Sequence, residues 1–329
     1  MLADSSEVNN SPPSGSIIVR APTRIDLGGG WTDVPPYCDN EGGFVCNVAI
    51  DRYAVATLTS EASTATAGEQ STTSNDALVA AALRRAAVTN VRISLANDFP
   101  VGSGLGGSSA ASAAVLGALA VWRAERWDPV EIAEEGRRIE VEELGVAGGR
   151  QDHYAATHGG ALALTFSTSV TVRRLSLSPT TRAALERRSI LIHTGKSRIS
   201  GGNIIEVLNA YRAREQRVLV ALARMKTLAE QMAVALESGD LDLLGALVGE
   251  HWIHQRALHP AIPTPRIDEI VARAKAAGAH GAKAMGASGG GCVLVIAGED
   301  NVERVREAVA PLGTILPFCV DLGGLALDQ

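Results

Sequence analysis

The sequence predicts an α+β fold in two domains, on three observations. Its 329 residues exceed what one hydrophobic core usually serves, since single cores stop growing at roughly 250–300 residues. Short β-branched runs mix with helical segments up to about residue 190, whereas Gly202 to Ala257 reads as long helices. Three Gly-rich turns, Gly102–Gly107, Gly145–Gly149 and Gly286–Gly291, punctuate the chain. The expected division is a disordered tail over 1–15, an N-terminal domain over 16–187 and a C-terminal domain over 188–329. No internal repeat is visible.

Each element has its own signal. Ile17–Val19 is a β-branched run and reads as a strand, as does the Val- and Ile-rich stretch from Phe44 to Ala56. Residues 60–75 are mostly Ser, Thr, Ala and Glu and read as a surface loop or lid. Asp76–Val88 has helical composition, and Val91–Leu95 alternates like a half-buried strand. Ser108–Glu125 is dense in Ala, Leu and Val on nearly every face, so a buried helix is expected. Asp128-Pro129 is a helix start, with the carboxylate as cap and proline at the first position, and the helix is expected to reach about Leu144. Strands are expected at Ala161–Thr165, Val170–Leu175, Ser189–His193 and Cys292–Ala297. A helix break is expected near Ser238-Gly239-Asp240, and a further helix over Thr264–Ala277.

Composition removes several function classes. Thirty Lys and Arg against 36 Asp and Glu give a net charge of -6 with no basic run, which argues against a nucleic-acid partner. Aromatic residues are 4% of the chain, too few for base-stacking platforms. The longest apolar stretch, Ala110–Trp122, is too short for a membrane span, and Met1–Ser16 lacks the basic and apolar regions of a signal peptide. Cys38, Cys46, Cys292 and Cys319 form no C-x-x-C pair and read as reduced thiols. A cytoplasmic protein is the expectation, and a homodimer is compatible with it.

Gly102-Ser103-Gly104-Leu105-Gly106-Gly107-Ser108-Ser109 lies between a strand and an Ala-rich helix. Its glycines allow left-handed backbone and close approach, and the helix start offers free N–H groups and a positive dipole end. Ser108 and Ser109 add hydroxyls for a phosphate or a Mg²⁺ ion. Gly102, Gly104 and Gly107 also satisfy the dinucleotide fingerprint, with Glu125 at a fitting distance. Against that reading, Asp128–Leu144 is helical where the second strand of a βαβ unit should be. No Lys follows the glycines, which excludes a Walker A loop. A plain strand–turn–helix junction is the remaining alternative.

Glu140 and Asp152 are separated by the second Gly cluster, so a helix end and a loop can bring both carboxylates to one Mg-nucleotide site. Glu140 can equally be a solvated helix charge. Asp152, in Gly149-Arg150-Gln151-Asp152-His153-Tyr154, follows a flexible turn and precedes an apolar segment. His251 and His254 lie three apart on an expected helix without a third ligand and read as packing or surface residues. Trp31 either stacks on a sugar ring or covers the first motif. Arg20 and Arg52 read as structural.

Three separated segments resemble the GHMP kinases, the superfamily of galactokinase, homoserine kinase and mevalonate kinase. They are Ala21-Pro22-Thr23-Arg24 through Gly30-Trp31-Thr32-Asp33, then Pro100 through Ala110, then Lys283-Ala284-Met285-Gly286-Ala287-Ser288-Gly289-Gly290-Gly291-Cys292. Their order and spacing cover nearly the whole chain. Gly148–Ala156 and Thr194-Gly195-Lys196-Ser197-Arg198 narrow the likeness to sugar 1-kinases acting on D-glycero-D-manno-heptose 7-phosphate or on L-fucose. Two positions depart from the pattern. Gly107 stands where many members have Ser, and Ile25-Asp26 is closer to fucose-type members than to heptose-type ones.

The resemblance implies a two-domain GHMP kinase-like fold with the active site in the cleft between domains, and ATP and Mg²⁺ as cofactors. Residues 102–109 would wrap the triphosphate, with Ser108 (or Ser109) and Glu140 on Mg²⁺. Asp152 would be the catalytic aspartate, kept ionised by Arg24. Asp33, Gly149, Thr194, Arg198, Gly289 and Gly290 would face the sugar. If the sugar carries a phosphate, Lys196 and Arg198 would meet it, unless they are ordinary surface charge. The implied function is transfer of the ATP γ-phosphoryl group to the anomeric hydroxyl of a sugar, foremost heptose 7-phosphate, with a neutral fucose-type sugar as the alternative. A silent nucleotide and sugar sensor and a nicotinamide-dependent oxidoreductase are the rivals from other classes.

Overall fold

The computed structural model describes residues 15–60, 74–196 and 201–328. The expected tail, most of the expected lid and Arg198 therefore lie outside the described residues. In chain order the elements are β1 (Ile17–Gly28), α1 (Tyr37–Glu41), β2 (Gly43–Ser60), α2 (Ser74–Ala86), β3 (Val91–Asn97), α3 (Gly107–Trp122), α4 (Pro129–Arg138) and a π-helical turn (Ile139–Glu143). There follow α5 (Gln151–His158), β4 (Ala161–Phe166), β5 (Val170–Leu175), α6 (Pro179–Arg188), β6 (Ser189–His193), α7 (Gly201–Arg212), α8 (Gln216–Ser238) and α9 (Leu241–Ala257). The chain ends with α10 (Pro265–Ala276), β7 (Ala279–Ala284), β8 (Cys292–Ala297), α11 (Val302–Val309), β9 (Thr314–Ile315) and β10 (Ala326–Asp328).

Two antiparallel sheets organise the molecule. The larger runs β10-β1-β2-β4-β5, with β3 also on β2, and the smaller runs β7-β8-β6-β9. Every pairing between named strands is antiparallel. A dinucleotide fold needs parallel βαβ units, so the fingerprint reading of the first Gly loop falls. β10 returns the chain end to the large sheet through Ile18–Asp328 to Arg20–Ala326 pairing.

α3 buries Ser109 through Ala120 against β1 and β2, which explains why its sequence shows no polar face. Elsewhere along the same strands, Ile25, Leu27 and Val48 pack with Leu228 and Met232 of α8, Leu244 and Val248 of α9 and Leu294 of β8. α8 and α9 thus join the two sheets through one continuous apolar layer. The change of company along β1 coincides with a register shift against β2 between Pro22 and Thr23.

Local rules fix the helix starts. Asp128 caps α4 by accepting from Val130 and Glu131 N–H at 2.8 and 3.1 Å, with Pro129 next. Ser178-Pro179 and Thr264-Pro265 repeat the device at α6 and α10. The expected break at 238–240 is the left-handed Gly239 followed by the Asp240 cap of α9. Other elements differ from expectation. The helix after Asp128 ends at Arg138 and continues as a π-helical turn rather than as α-helix to Leu144. β1 runs on through Arg24 and Asp26, and residues 151–158 form a helix rather than a loop. In both cases the charged residues have partners far away in sequence, which no local pattern reveals. Ala279–Ala284 has weak strand propensity and is a strand because the fully buried β8 pairs with it.

Candidate active site

The centre of the candidate site is an arginine–aspartate pair tied to the first Gly loop. Arg24, on β1, donates to Asp152 Oδ1 from Nε at 2.8 Å and approaches the same oxygen with Nη2 at 2.7 Å. Its Nη1 donates to the Gly104 carbonyl at 2.7 Å, and its main-chain N–H donates to the Leu105 carbonyl at 3.0 Å. One residue therefore fixes both the acid and the loop. The Arg24 side chain is 4% exposed, whereas Asp152 is 27% exposed and open to a ligand. Burial raises the Asp152 carboxyl above the usual aspartate range, and Arg24 pulls it back.

The loop has the form of an anion cradle. Gly102, Gly104 and Gly106 have φ of 71°, 76° and 78°, so left-handed glycines alternate with ordinary residues. A Cβ on Gly106 would lie 3.1 Å from the Asp152 carboxyl carbon, and one on Gly107 would strike the Phe99 ring at 2.3 Å. Among the described residues, the main-chain N–H groups from Gly104 to Ser109 have no main-chain acceptor. Three of those six, from Gly107 to Ser109, open α3, with Gly106 as its N-cap, and the dipole of the helix adds positive potential. Ser103 and Leu105 are buried and anchor the loop, Ser109 is buried, and Ser108 is exposed at the helix start.

Glu140 reaches this helix start from the π-helical turn. Such turns occur where a helix must re-aim a side chain. The Glu140 side chain is 14% exposed, lies beside the Ser108 hydroxyl, which favours its charged form, and is 3.5 Å from the His153 ring. Burial, then the nearby Asp152 charge, pushes its carboxyl up to about 7. No group of three or more Asp, Glu, His or Cys suited to a metal occurs among the described residues. The Ser108 hydroxyl and Glu140 carboxylate are two hard oxygen donors. They fit an ion such as Mg²⁺, which takes few protein ligands and completes its shell with phosphate oxygens and water.

Asp33 and Gly149 form the next layer. Asp33 Oδ2 accepts from the N–H groups of Arg150 and Gln151 at 2.8 and 3.0 Å, so it caps the helix that carries Asp152. A Cβ on Gly149 would strike Asp33 Oδ2 at 1.9 Å, which explains the glycine. Burial raises the Asp33 carboxyl to about 6, with the Gln151 N–H opposing.

The third Gly cluster braces the first. The Cys292 N–H donates to the Ser103 carbonyl at 2.8 Å, and a Cβ on Gly291 would approach that oxygen at 2.7 Å. A Cβ on Gly286 would touch Gly104 at 3.0 Å. Thr194 donates to the Gly291 carbonyl from both N–H and hydroxyl at 2.9 Å, and the Gly289 N–H donates to the Ile262 carbonyl. Gly290 is buried. Arg24, Asp152, Glu140, Ser108, Asp33 and Gly149 thus come together around the first loop. Among the described residues no hydrogen bond ties Thr194, Gly289 or Gly290 to Asp152.

The pairing of Asp26 with Lys283 went unrecognised in the sequence, and His251, expected to pack or to lie at the surface, is buried. Lys283 is fully buried and donates to the carbonyl and Oδ2 of Asp26 at 2.8 and 2.9 Å, joining the first motif to the third. Burial lowers the Lys283 ammonium, while Asp26 opposes. His251 Nε2 accepts from the Gly29 N–H at 2.9 Å, and its buried ring sits well below the usual histidine range. The only sequence signal was that Asp26 and Lys283 lie inside the quoted motifs.

Comparison with known proteins agrees with this geometry. Residues 47–160 match the GHMP kinases N terminal domain and residues 232–312 the GHMP kinases C terminal domain, together more than half of the chain. A D-glycero-alpha-D-manno-heptose 7-phosphate kinase from Campylobacter jejuni subsp. jejuni is 29% identical, covering 84% of this chain and 88% of its own. An L-fucokinase/L-fucose-1-P guanylyltransferase from Bacteroides fragilis is 28% identical over 88% of this chain but only 35% of its own. The crystal structure of a D-glycero-D-manno-heptose 1-phosphate kinase from Bacteriodes thetaiotaomicron superimposes with a TM-score of 0.74 at 25% identity, covering 95% of this chain and 99% of that one. With both family domains matched over more than half of its length, the chain belongs to the GHMP kinases.

Proposed function

We propose that the protein transfers the γ-phosphoryl group of ATP to the anomeric hydroxyl of a sugar that already carries a phosphate, with D-glycero-D-manno-heptose 7-phosphate as the leading substrate. The observation that carries the reading is the row of free N–H groups at 104–109 beside Asp152, held together by Arg24. Phosphoryl transfer asks a protein mainly for positioning and charge stabilisation, and this arrangement supplies both. The heptose kinases among the relatives support a phosphorylated sugar, although their names place its phosphate at different carbons.

In this reading the triphosphate lies on the N–H groups of residues 104–109. The sugar hydroxyl sits against Asp152, its oxygen attacks the γ-phosphorus, its proton passes to the Asp152 carboxylate, and ADP leaves. An anomeric hydroxyl is acidic for an alcohol, so a carboxylate suffices as base. Arg24 holds the carboxylate in place and favours its charged form. Asp33 and Gly149 set the first turn of α5 and, by family resemblance, border the sugar. Ser108 and Glu140 would hold Mg²⁺, which when bound neutralises phosphate charge. The fucokinase relative supports a second reading, a neutral fucose-type substrate.

The test is ADP release across sugars and sugar phosphates, with the product's phosphate position read by phosphorus NMR. Heptose 7-phosphate should be the best acceptor and gain a phosphate at C1. Turnover of L-fucose alone would favour the second reading, and ATP consumption with no sugar would remove both. Asp152→Asn should lower kcat by roughly 10²–10⁴-fold while ATP binding persists. Wild-type turnover in that variant would contradict the catalytic assignment.

A further inference from the structure

We propose that Arg137 and Arg150 form a phosphate-binding pair beside the reacting carboxylates, and that this pair receives the phosphate the sugar substrate already carries. The second half rests on the phosphorylated-sugar reading above. The first half rests on how the arginines of this chain are used.

Most buried or half-buried arginines are engaged. Arg24 holds Asp152, Arg85 holds Glu135, and Arg188 binds Asp242 and the Ala297 carbonyl. Arg137 and Arg150 differ. Neither has an ion pair or a side-chain hydrogen bond among the described residues, yet the Nε of each is shielded from solvent with no acceptor. They are the two described arginines in that state. An unmet donor of this kind costs about 1–3 kcal/mol, more when charged, so a native protein that retains two on neighbouring packed helices points to a ligand.

Their placement selects the ligand. Arg137 is in the last turn of α4, three residues before Glu140. Arg150 opens α5, two residues before Asp152, with its main-chain N–H on Asp33. The Tyr154 hydroxyl, which donates to Glu134 at 2.7 Å, lies in the field of both guanidiniums. Arg150 acts on Cys38, on the side of the first motif. The neighbouring carboxylates, Asp33, Asp152, Glu134 and Glu140, would otherwise repel an anionic substrate. A planar guanidinium pair matches phosphate oxygens in charge and geometry. Of the two sequence-based candidates, Lys196 is exposed and its backbone braces Gly291, and Arg198 lies outside the described residues.

The experiment uses the full chain with Arg137→Met, Arg150→Met and the double variant, plus the Lys versions, all checked by thermal melting. KM for D-glycero-D-manno-heptose 7-phosphate should rise roughly 10- to 100-fold in the Met variants, with partial recovery in the Lys variants. KM for L-fucose and affinity for ATP should stay within about twofold. Loss of ATP affinity with either sugar would reassign the pair to the nucleotide's phosphates and overturn the substrate half. If neither quantity moves in a double variant that melts like the wild type, the phosphate pair itself is overturned. A wild type that turns over only neutral sugars fails the heptose reading separately, and ATP affinity in the same variants then decides whether the pair binds phosphate.

Discussion

Two glycine clusters of similar composition, 102–107 and 286–291, are used differently in this molecule. Both use left-handed glycines, at 102, 104 and 106 in one and at 286, 289, 290 and 291 in the other. In the first, the N–H groups from 104 onward have no main-chain acceptor and stand beside Asp152. In the third motif the glycines nearest the small sheet are engaged within the protein: Gly289 N–H on Ile262, Gly291 N–H on Lys196, and the Gly291 carbonyl under Thr194, while among the described residues the N–H groups of Gly286, Ala287, Ser288 and Gly290 have no main-chain acceptor. Glycine content signals close backbone approach in both; what sets the first loop apart is an unbroken run of N–H groups without main-chain acceptors, from 104 to 109, at a helix start beside Asp152.

Substitution at matched glycines should break the comparison open. Gly106→Ala puts a methyl about one contact distance from the Asp152 carboxyl, on a left-handed backbone. It should lower kcat/KM by about 100-fold, the scale of a misplaced reacting group, while melting falls only modestly. Steady-state kinetics with thermal melting checks both. Gly291→Ala should show the reverse weighting. The left-handed backbone costs about 1–2 kcal/mol, and contact with the Ser103 carbonyl adds to it. Several degrees of melting temperature should be lost, with a smaller kinetic effect transmitted through the loop. Equal kinetic and stability profiles for the two variants would erase the distinction.

A finer effect concerns the cap under Asp152. The Asp33 carboxyl titrates near 6 in the folded protein against 3.8 ordinarily, so the folded state binds its proton more tightly. Its contribution to stability is full below about pH 4 and is lost as pH rises through 6. The span is on the order of 2–3 kcal/mol. Asp33→Asn should flatten this part of the pH–stability curve of the ligand-free protein while still capping α5. Asp33→Ala should lose the cap as well, at about 1 kcal/mol, and kcat with it. A wild-type curve unchanged by Asp33→Asn would contradict the buried carboxyl.

Much of this was legible in the sequence because it is local. Caps at Asp128, Asp240 and Thr264, the Gly239 break and the apolar run of α3 all follow from neighbours in the chain. The first Gly loop and Asp152, which the structure places side by side, were singled out through motif order. What stayed hidden depends on partners far apart in sequence. Helix α5 has no apolar period and forms under a cap from Asp33, 117 residues earlier for Arg150. Lys283 stood only as the first residue of the third segment, and its role needs Asp26, 257 residues away, beside it. Glu140 points into the site because the helix widens to a π turn, which no composition announces.

The most direct measurement follows backbone amide resonances as a nonhydrolysable ATP analogue with Mg²⁺ is added to the full chain. The largest shifts should fall on Gly104 through Ser109, with Gly289 and Gly291 changing little. Shifts concentrated at 286–291, with residues 104–109 silent, would contradict the cradle.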